Sequence, residues 1–84
     1  MRKEEIWGVS IDRARAFFRS QADVLEDSPD VYTFHTVRIT LEELEPSRTG
    51  IWSARRIRLG MEGPDAELKA IHHRYFMQFL STGG

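Results

Sequence analysis

The sequence contains no cysteine, which excludes disulfide bonds and thiolate metal sites. No apolar run approaches the roughly 20 residues that a membrane-spanning helix needs. Residues 1–5 also lack the apolar stretch of a signal peptide. We therefore expect a cytoplasmic protein that makes no contact with a membrane.

An excess of positive charge is absent as well. The formal net charge is −1, which argues against a protein that binds nucleic acid mainly through bulk electrostatics. The charges are unevenly distributed, because residues 23–45 are rich in acids and the stretch after them is rich in arginine. The arginines of that stretch are Arg48, Arg55, Arg56 and Arg58.

Two segments carry the apolar spacing of three and four residues that is typical of an amphipathic helix. Ser10 is a good N-cap, and we predict the first helix over Ile11–Leu25. The second helix is predicted to begin after Gly63, because Pro64 suits a first helical position. The apolar stripes comprise Ile11, Ala14, Phe18, Ala22 and Leu25 in the first helix and Leu68, Ile71, Tyr75, Phe76 and Phe79 in the second.

Two further segments, Val31–Glu42 and Ile51–Glu62, have alternating side chains that predict strands, with a turn over Glu45–Gly50 joining them as an antiparallel hairpin. Successive side chains in a strand point to opposite faces, so the hairpin should have two different faces. The apolar face would comprise the odd positions Val31, Val37, Ile39, Leu41, Ile51, Ile57, Leu59 and Met61. The aromatic and cationic face would comprise the even positions Tyr32, Phe34, Arg38, Trp52, Arg56 and Arg58.

These elements predict an α+β domain covering residues 1–84, a two-layer sandwich in which a hairpin-based antiparallel sheet packs against two helices. Residues 4–9 leave the element order open. The order is α-β-β-α if they extend the first helix backwards, which the charged residues before Ile6 slightly favour. It is β-α-β-β-α if they form a strand.

A sheet of two strands is marginal in water. Either residues 4–9 supply a third strand, or two copies of the chain join their edges into a four-stranded sheet. We therefore expect a homodimer.

The aromatic and cationic face is the candidate binding surface. Rings interleaved with guanidinium groups on an open sheet can bind single-stranded nucleic acid, although the same groups can also pair with one another without a ligand. Given the net charge, we favour a small non-enzymatic protein-interaction or regulatory module, with nucleic-acid binding through this face as the alternative. Met77 and Leu80, which lie beside the main stripe of the second helix, would extend a contact with another protein.

No arrangement of side chains identifies a reaction. His72 and His73 are adjacent on the second predicted helix and point about 100° apart, so they cannot bind one metal together as an i, i+4 pair can. His35 and His72 are both expected on core-facing sides, as neutral imidazoles that hydrogen-bond to the backbone or to Tyr75. We expect no enzymatic activity, no cofactor and no metal site.

The sequence ends in Gly83-Gly84, which resembles the C-terminus of ubiquitin-like sulfur carriers. A flexible terminal Gly-Gly is what adenylation and thiocarboxylate or isopeptide formation require, so the resemblance implies a carrier function as a remote alternative. It covers two residues only, and the predicted chain ends in a helix where those proteins end in a strand. Glycine is also a common way to end a helix.

Overall fold

The computed structural model describes residues 1–80, apart from the side chains of Ser47, Thr49 and Trp52. The described residues form the strand β1 (Arg2–Trp7), the helix α1 (Ile11–Ser20), the strands β2 (Val24–Ser28), β3 (Val31–Phe34), β4 (Val37–Thr49) and β5 (Trp52–Glu62), and the helix α2 (Asp65–Leu80). The predicted α+β class is confirmed. Neither helix within residues 1–80 is long and apolar enough to cross a bilayer.

The strands form one sheet in the order β1-β5-β4-β3-β2, and every neighbouring pair is antiparallel. The chain begins at one edge of the sheet with β1 and crosses to the other edge through α1. It then returns strand by strand from β2 until β5 pairs with β1. Both helices contribute buried residues to one core on a single face of the sheet. The opposite face of the sheet, which we call the open face, has no helix over it in the described chain.

The core is built around packed aromatic rings. Phe18 stacks on Tyr75 with 5.7 Å between the ring centroids, and its ring lies 5.4 Å from that of Tyr32. Burying each such side chain contributes roughly 1.5–3 kcal/mol to the free energy of folding. The buried residues are Ile11, Ala14, Phe17, Phe18, Tyr32, Phe34, Val37, Ile39, Leu41, Ile57, Leu59, Met61, Leu68, Ile71, Tyr75 and Phe79.

The first helix begins where it was predicted and ends earlier. The Ser10 hydroxyl accepts a hydrogen bond from the Arg13 N–H at 3.3 Å, as expected of an N-cap. The helix stops at Ser20, and the following residues form β2 instead of a further turn. Leu25, which the helical spacing placed in the core, is 68% exposed because it lies opposite Thr33, on the face of the sheet away from the helices.

Residues 2–7 form a strand, so the slightly favoured order α-β-β-α was wrong. The pairing of β1 with β5 runs from Arg2 opposite Glu62 to Trp7 opposite Ile57. Pairing along a whole edge outweighs the weak helical preference of the charged residues. The other predicted order, β-α-β-β-α, contained this strand, although it lacked β2 and the division between β3 and β4.

The segment Val31–Glu42 is two strands and not one. A two-residue turn at His35–Thr36 divides it into β3 and β4. The backbone of His35 has φ 54°, in the left-handed region that tight hairpin turns need and that glycine or asparagine usually supplies. The sequence lacks either residue there, so the turn had no local signal.

This turn reverses the assignment of faces in β3. Tyr32 lies opposite Ile39 and Phe34 opposite Val37, and directly opposed residues of antiparallel strands share a face. The even positions of β3 therefore share the core face with the odd positions of β4. Tyr32 and Phe34 are 0% and 3% exposed, so the prediction that placed them on the open face was wrong.

Because the sheet has five strands, the marginal stability of a two-stranded sheet no longer favours a dimer. A sheet of this size, packed on two helices, has enough partners within one chain to be stable. The homodimer stays a prediction and needs a different physical basis.

Candidate interaction surface

The open face carries charges of both signs in alternation. One cross-strand row runs from Thr33 through Arg38 and Glu62 to Arg2. In a parallel row, Glu42 lies opposite Arg58, and their side chains form a salt bridge. The arginines of this face are Arg2, Arg38, Arg56 and Arg58, and its carboxylates include Glu4, Glu42 and Glu62.

Three of the predicted binding residues, Arg38, Arg56 and Arg58, lie on this face, and their binding role stays a prediction. The Arg56 guanidinium donates two hydrogen bonds to the Glu45 carbonyl, at 3.2 and 3.1 Å. The side chain of Trp52 lies outside the described part of the chain. With Tyr32 and Phe34 buried in the core, the described open face offers no ring on which a base could stack.

A shallow depression of about 240 Å³ lies in the middle of the open face, over Gly60. A Cβ at Gly60 would come within 2.5 Å of the Thr40 Oγ1, so glycine keeps the depression open. The charged residues that line it are Arg2, Glu4, Arg38 and Glu62. Equal numbers of positive and negative side chains match the polar surface of a protein better than they match a chain of phosphates.

The hairpin of β4 and β5 extends beyond the rest of the sheet as a two-stranded arm, residues 44–56. β3 pairs with β4 only over 37–40, and β1 pairs with β5 only over 57–62. The described chain accordingly measures 42 × 25 × 24 Å along its principal axes. The arm turns at Gly50–Ile51, later than the predicted turn, because the β4 strand continues to Thr49.

No other element of the described chain covers the arm. None of its described side chains is buried, and Ile51 at the tip is 94% exposed. The ladder is irregular between Leu44 and Ser47, and Pro46 lies in this bulge. Proline cannot donate a hydrogen bond, so it weakens this edge as a template for uncontrolled strand pairing.

Charge is unevenly distributed along the arm. Residues 46–56 contain three arginines and no acidic residue. Arg48 lies towards the tip, whereas Arg55 lies at the base, where it lines a depression of about 380 Å³ together with Glu43 and Glu45. The sequence shows the run of arginines, and only the paired strands show that it projects from the rest of the molecule.

A polar cluster that the sequence did not predict joins β1 to α2. His72 Nε2 lies 2.7 Å from Glu5 Oε1, and the Trp7 indole donates a hydrogen bond to the same oxygen at 3.1 Å. Partial burial by itself raises the pKa of the Glu5 carboxyl. The hydrogen bonds from His72 and Trp7, together with the charges of His72 and Lys3, outweigh burial and lower this pKa below its usual value.

The hydroxyl of Tyr75 is buried close to this cluster without a hydrogen-bond partner. Burial, followed by the nearby charge of Glu5, raises the pKa of this phenol far above its usual value. The hydroxyl therefore stays protonated, and it cannot act as a base or a nucleophile near neutral pH. The cluster can orient His72 and hold α2 against the sheet.

The three histidines do not converge. His72 is half-buried and contacts Glu5, not the backbone or Tyr75 as predicted. His35 is exposed in the β3–β4 turn, with its ring 4.4 Å from that of Phe34. The expectation that His35 faces the core was wrong, because the division of β3 from β4 places it at the hairpin turn. Within residues 1–80, no group of three or more potential ligands could hold a metal ion.

Apolar side chains are also exposed along α2. Met77 and Leu80 are 52% and 57% exposed, and Phe76, which was expected in the core stripe, is 37% exposed. The Phe76 ring lies at the margin of the core, 6.0 Å from that of Trp7. These side chains form a further candidate contact, apart from the arm and the open face.

The chain matches no protein-family model, and neither a curated protein nor a solved structure is significantly similar to it.

Proposed function

We propose that the chain is a non-enzymatic protein-interaction module whose main contact is the arm, with the adjoining open face as a secondary contact. The observation that carries this proposal is the uncovered arm. It projects from the rest of the described chain, which we call the body. Ile51 at its tip is almost fully exposed, and none of its described side chains is buried. A two-stranded ribbon is marginal by itself in water, so a partner that covers it would stabilise it.

The charge pattern favours a protein partner over a polyanion. Positive and negative groups alternate on the open face, and acids lie at the base of the arm. A phosphate backbone that followed the arm towards the body would meet Glu43 and Glu45 at the base, where they lie beside Arg55. A protein surface can present both signs and match this pattern.

Nucleic-acid binding stays the second candidate because residues 46–56 of the arm contain three arginines and no acid. A two-stranded ribbon fits the major groove of a duplex. This function requires binding that falls steeply with salt, and Trp52→Ala should weaken it if that side chain stacks on a base. The Gly83–Gly84 carrier hypothesis concerns residues outside the described chain and gains no support here.

Site-specific photo-crosslinking in living cells tests the proposed function. A photoreactive amino acid replaces Ile51 at the arm tip, and the matched control carries it in place of Lys69, an exposed residue on α2. We expect crosslinks to protein from position 51 and not from position 69. Crosslinks from position 51 mainly to nucleic acid would replace the proposal with the second candidate. Equal crosslinking from both positions, or none from position 51, would overturn it.

A further inference from the structure

We infer that the chain forms a homodimer in which strand β1 pairs with β1 of a second copy, antiparallel about a twofold axis perpendicular to the sheet. This contact goes beyond the proposed function and does not involve the arm. Three features carry the inference: the free backbone groups of β1, the order of charges along this strand, and the exposed apolar side chains beside it.

The first feature is the outward-facing backbone of β1, which is an edge strand and pairs only with β5 in the described chain. Met1 and Gly63 exchange both of their backbone hydrogen bonds, each at 2.9 Å. In an antiparallel ladder such pairs alternate with pairs whose N–H and C=O groups point away from each other. The backbone groups of Arg2, Glu4 and Ile6 therefore point outwards, where a further strand can bind them.

The opposite edge of the sheet is protected in two ways that β1 lacks. Strand β2 has a register shift between Glu26 and Ser28, and its charged residues, Glu26 and Asp27, are both acidic. Bulges and charged side chains are devices that keep edge strands from pairing. Strand β1 pairs with β5 in unbroken register over Arg2–Trp7, and its charges are of both signs.

The second feature is the order of those charges. The basic residues Arg2 and Lys3 come first in β1, and the acidic residues Glu4 and Glu5 follow. An antiparallel second copy therefore places the basic half of each strand against the acidic half of the other. A twofold interface requires this self-complementarity, because the same patch serves both copies. A parallel copy would instead bring like charges together.

The outward-pointing groups also select the register. A register centred on Glu4 joins the free backbone groups of Arg2, Glu4 and Ile6 in about six intermolecular hydrogen bonds. It places Lys3 opposite Glu5 of the second copy. The two Glu4 side chains meet at the axis, where each has a salt bridge of 2.9 Å to its own Arg2 and lies diagonal to Arg2 of the second copy. Registers centred on Lys3 or Glu5 would form only about four such bonds.

The third feature is the exposed apolar side chains on both sides of this edge. Ile6 is 58% exposed on the open face, and in this register it lies opposite Arg2 of the second copy, whose aliphatic stem can cover it. On the helix side, Phe76 is 37% exposed and lies 6.0 Å from the ring of Trp7. The twofold axis places both α2 helices on the same side of the joined sheet, so each Phe76 would border the junction.

Disulfide crosslinking tests the pairing and its register. The chain has no cysteine, so a single introduced cysteine can link only to its equivalent in another copy. In Glu4→Cys the two cysteines are directly opposed at the axis, with Cα atoms about 5.5 Å apart, a separation that a disulfide spans. The controls are Leu25→Cys, exposed on the other edge, and Arg2→Cys, whose two copies would be roughly 13 Å apart. We expect Glu4→Cys alone to form linked dimers at micromolar concentration.

Sedimentation velocity tests the dimer without a crosslink. We expect the wild type to be a dimer at micromolar concentration. Glu4→Pro should be a folded monomer by circular dichroism, because it removes an outward-pointing N–H and leaves the ladder with β5 intact. Ile6→Lys should weaken the dimer at least tenfold, since it places a cation opposite Arg2. Leu25→Lys, an equally drastic change at the other edge, should leave the dimer unaltered.

A monomeric wild type would overturn the inference. So would an Ile6→Lys variant that dimerises as well as the wild type, or equal linking of the three cysteine variants. If Glu4→Pro fails to fold, Ile6→Lys and the cysteine variants still decide. Crosslinking from position 51 tests the arm alone, so either proposal can fail while the other stands.

Discussion

The body and the arm of this molecule are stabilised in different ways. In the body, helix α1 is tied to the β2–β3 edge by salt bridges of 2.7 Å from Arg15 to Asp30 and 2.8 Å from Arg19 to Glu26. These exposed pairs add little to the free energy of unfolding. The packed aromatic rings of the core contribute most of it. The arm has one backbone ladder and no buried side chain in its described part. The body therefore carries most of the stability of the fold, and the described part of the arm adds little to it.

The largest expected effect comes from the core. Tyr32→Ala should lower the free energy of unfolding by about 3–5 kcal/mol, because it removes a fully buried ring from the aromatic cluster. Chemical denaturation measures this, and Arg38→Ala on the open face is the control, with a change within about 0.5 kcal/mol. A small effect of Tyr32→Ala would mean that this ring faces solvent and that the described body is incorrect.

A smaller loss in the free energy of unfolding is expected when the pH is lowered. The pKa of Glu5 is lower in the folded chain than its ordinary value of 4.5, so the unfolded chain binds more protons in the window between the two values. The stabilisation is complete above the ordinary pKa and is lost as the pH falls through the lowered one. The pKa of the Asp23 carboxyl is also lowered, mainly by its hydrogen bond from Arg74, and it contributes in the same direction.

Glu5→Gln should reduce the free energy of unfolding at pH 7 by about 1 kcal/mol and flatten its dependence on pH between 5 and 3. Urea titrations at several pH values measure both quantities. Glu45→Gln on the arm serves as the matched variant and should leave the free energy of unfolding at pH 7 unchanged. An unaltered pH dependence in Glu5→Gln would show that the contact with His72 does not stabilise the fold.

Tyr75→Phe should stabilise the body by about 1 kcal/mol. The substitution removes a buried hydroxyl that has no hydrogen-bond partner and keeps the ring in place. Tyr32→Phe is the contrasting control, because the Tyr32 hydroxyl donates to the Pro29 carbonyl at 2.8 Å and its loss should destabilise the protein. Destabilisation by Tyr75→Phe would mean that this hydroxyl has a partner after all.

The smallest effect on stability is expected from the arm. Replacing residues 46–55 with a two-residue Asn-Gly turn should change the free energy of unfolding by less than about 1 kcal/mol, because none of the described side chains of the removed segment is buried. The measurement is made at a protein concentration low enough to keep the chain monomeric, since association would add its own stabilisation. A large loss of stability would show that the arm belongs to the cooperative core, and the comparison on which the proposed function rests would then fail.

The candidate surface was only partly predictable. The arginines of the arm and of the open face are visible in the sequence, and parity alone placed Arg38, Arg56 and Arg58 on one face. The rings of Tyr32 and Phe34 could not be placed on the correct face. The turn at His35–Thr36 has no local sequence signal, and it reverses the face of every residue that precedes it in the predicted strand. The projection of the arm could not be predicted either, because it depends on where β1 and β3 stop beside their neighbours.

The sequence by itself determined the α+β class, the start of α1 at the Ser10 cap, the stripe of α2 apart from Phe76, and the apolar faces of β4 and β5. Each of these depends on periodicity or on a capping side chain within a few residues. Only the tertiary structure decided that residues 2–7 and 24–28 are strands, since an edge strand forms where a neighbour offers unpaired backbone groups. It also decided which rings are buried and which hairpin projects, because both depend on contacts between segments that are far apart in the chain.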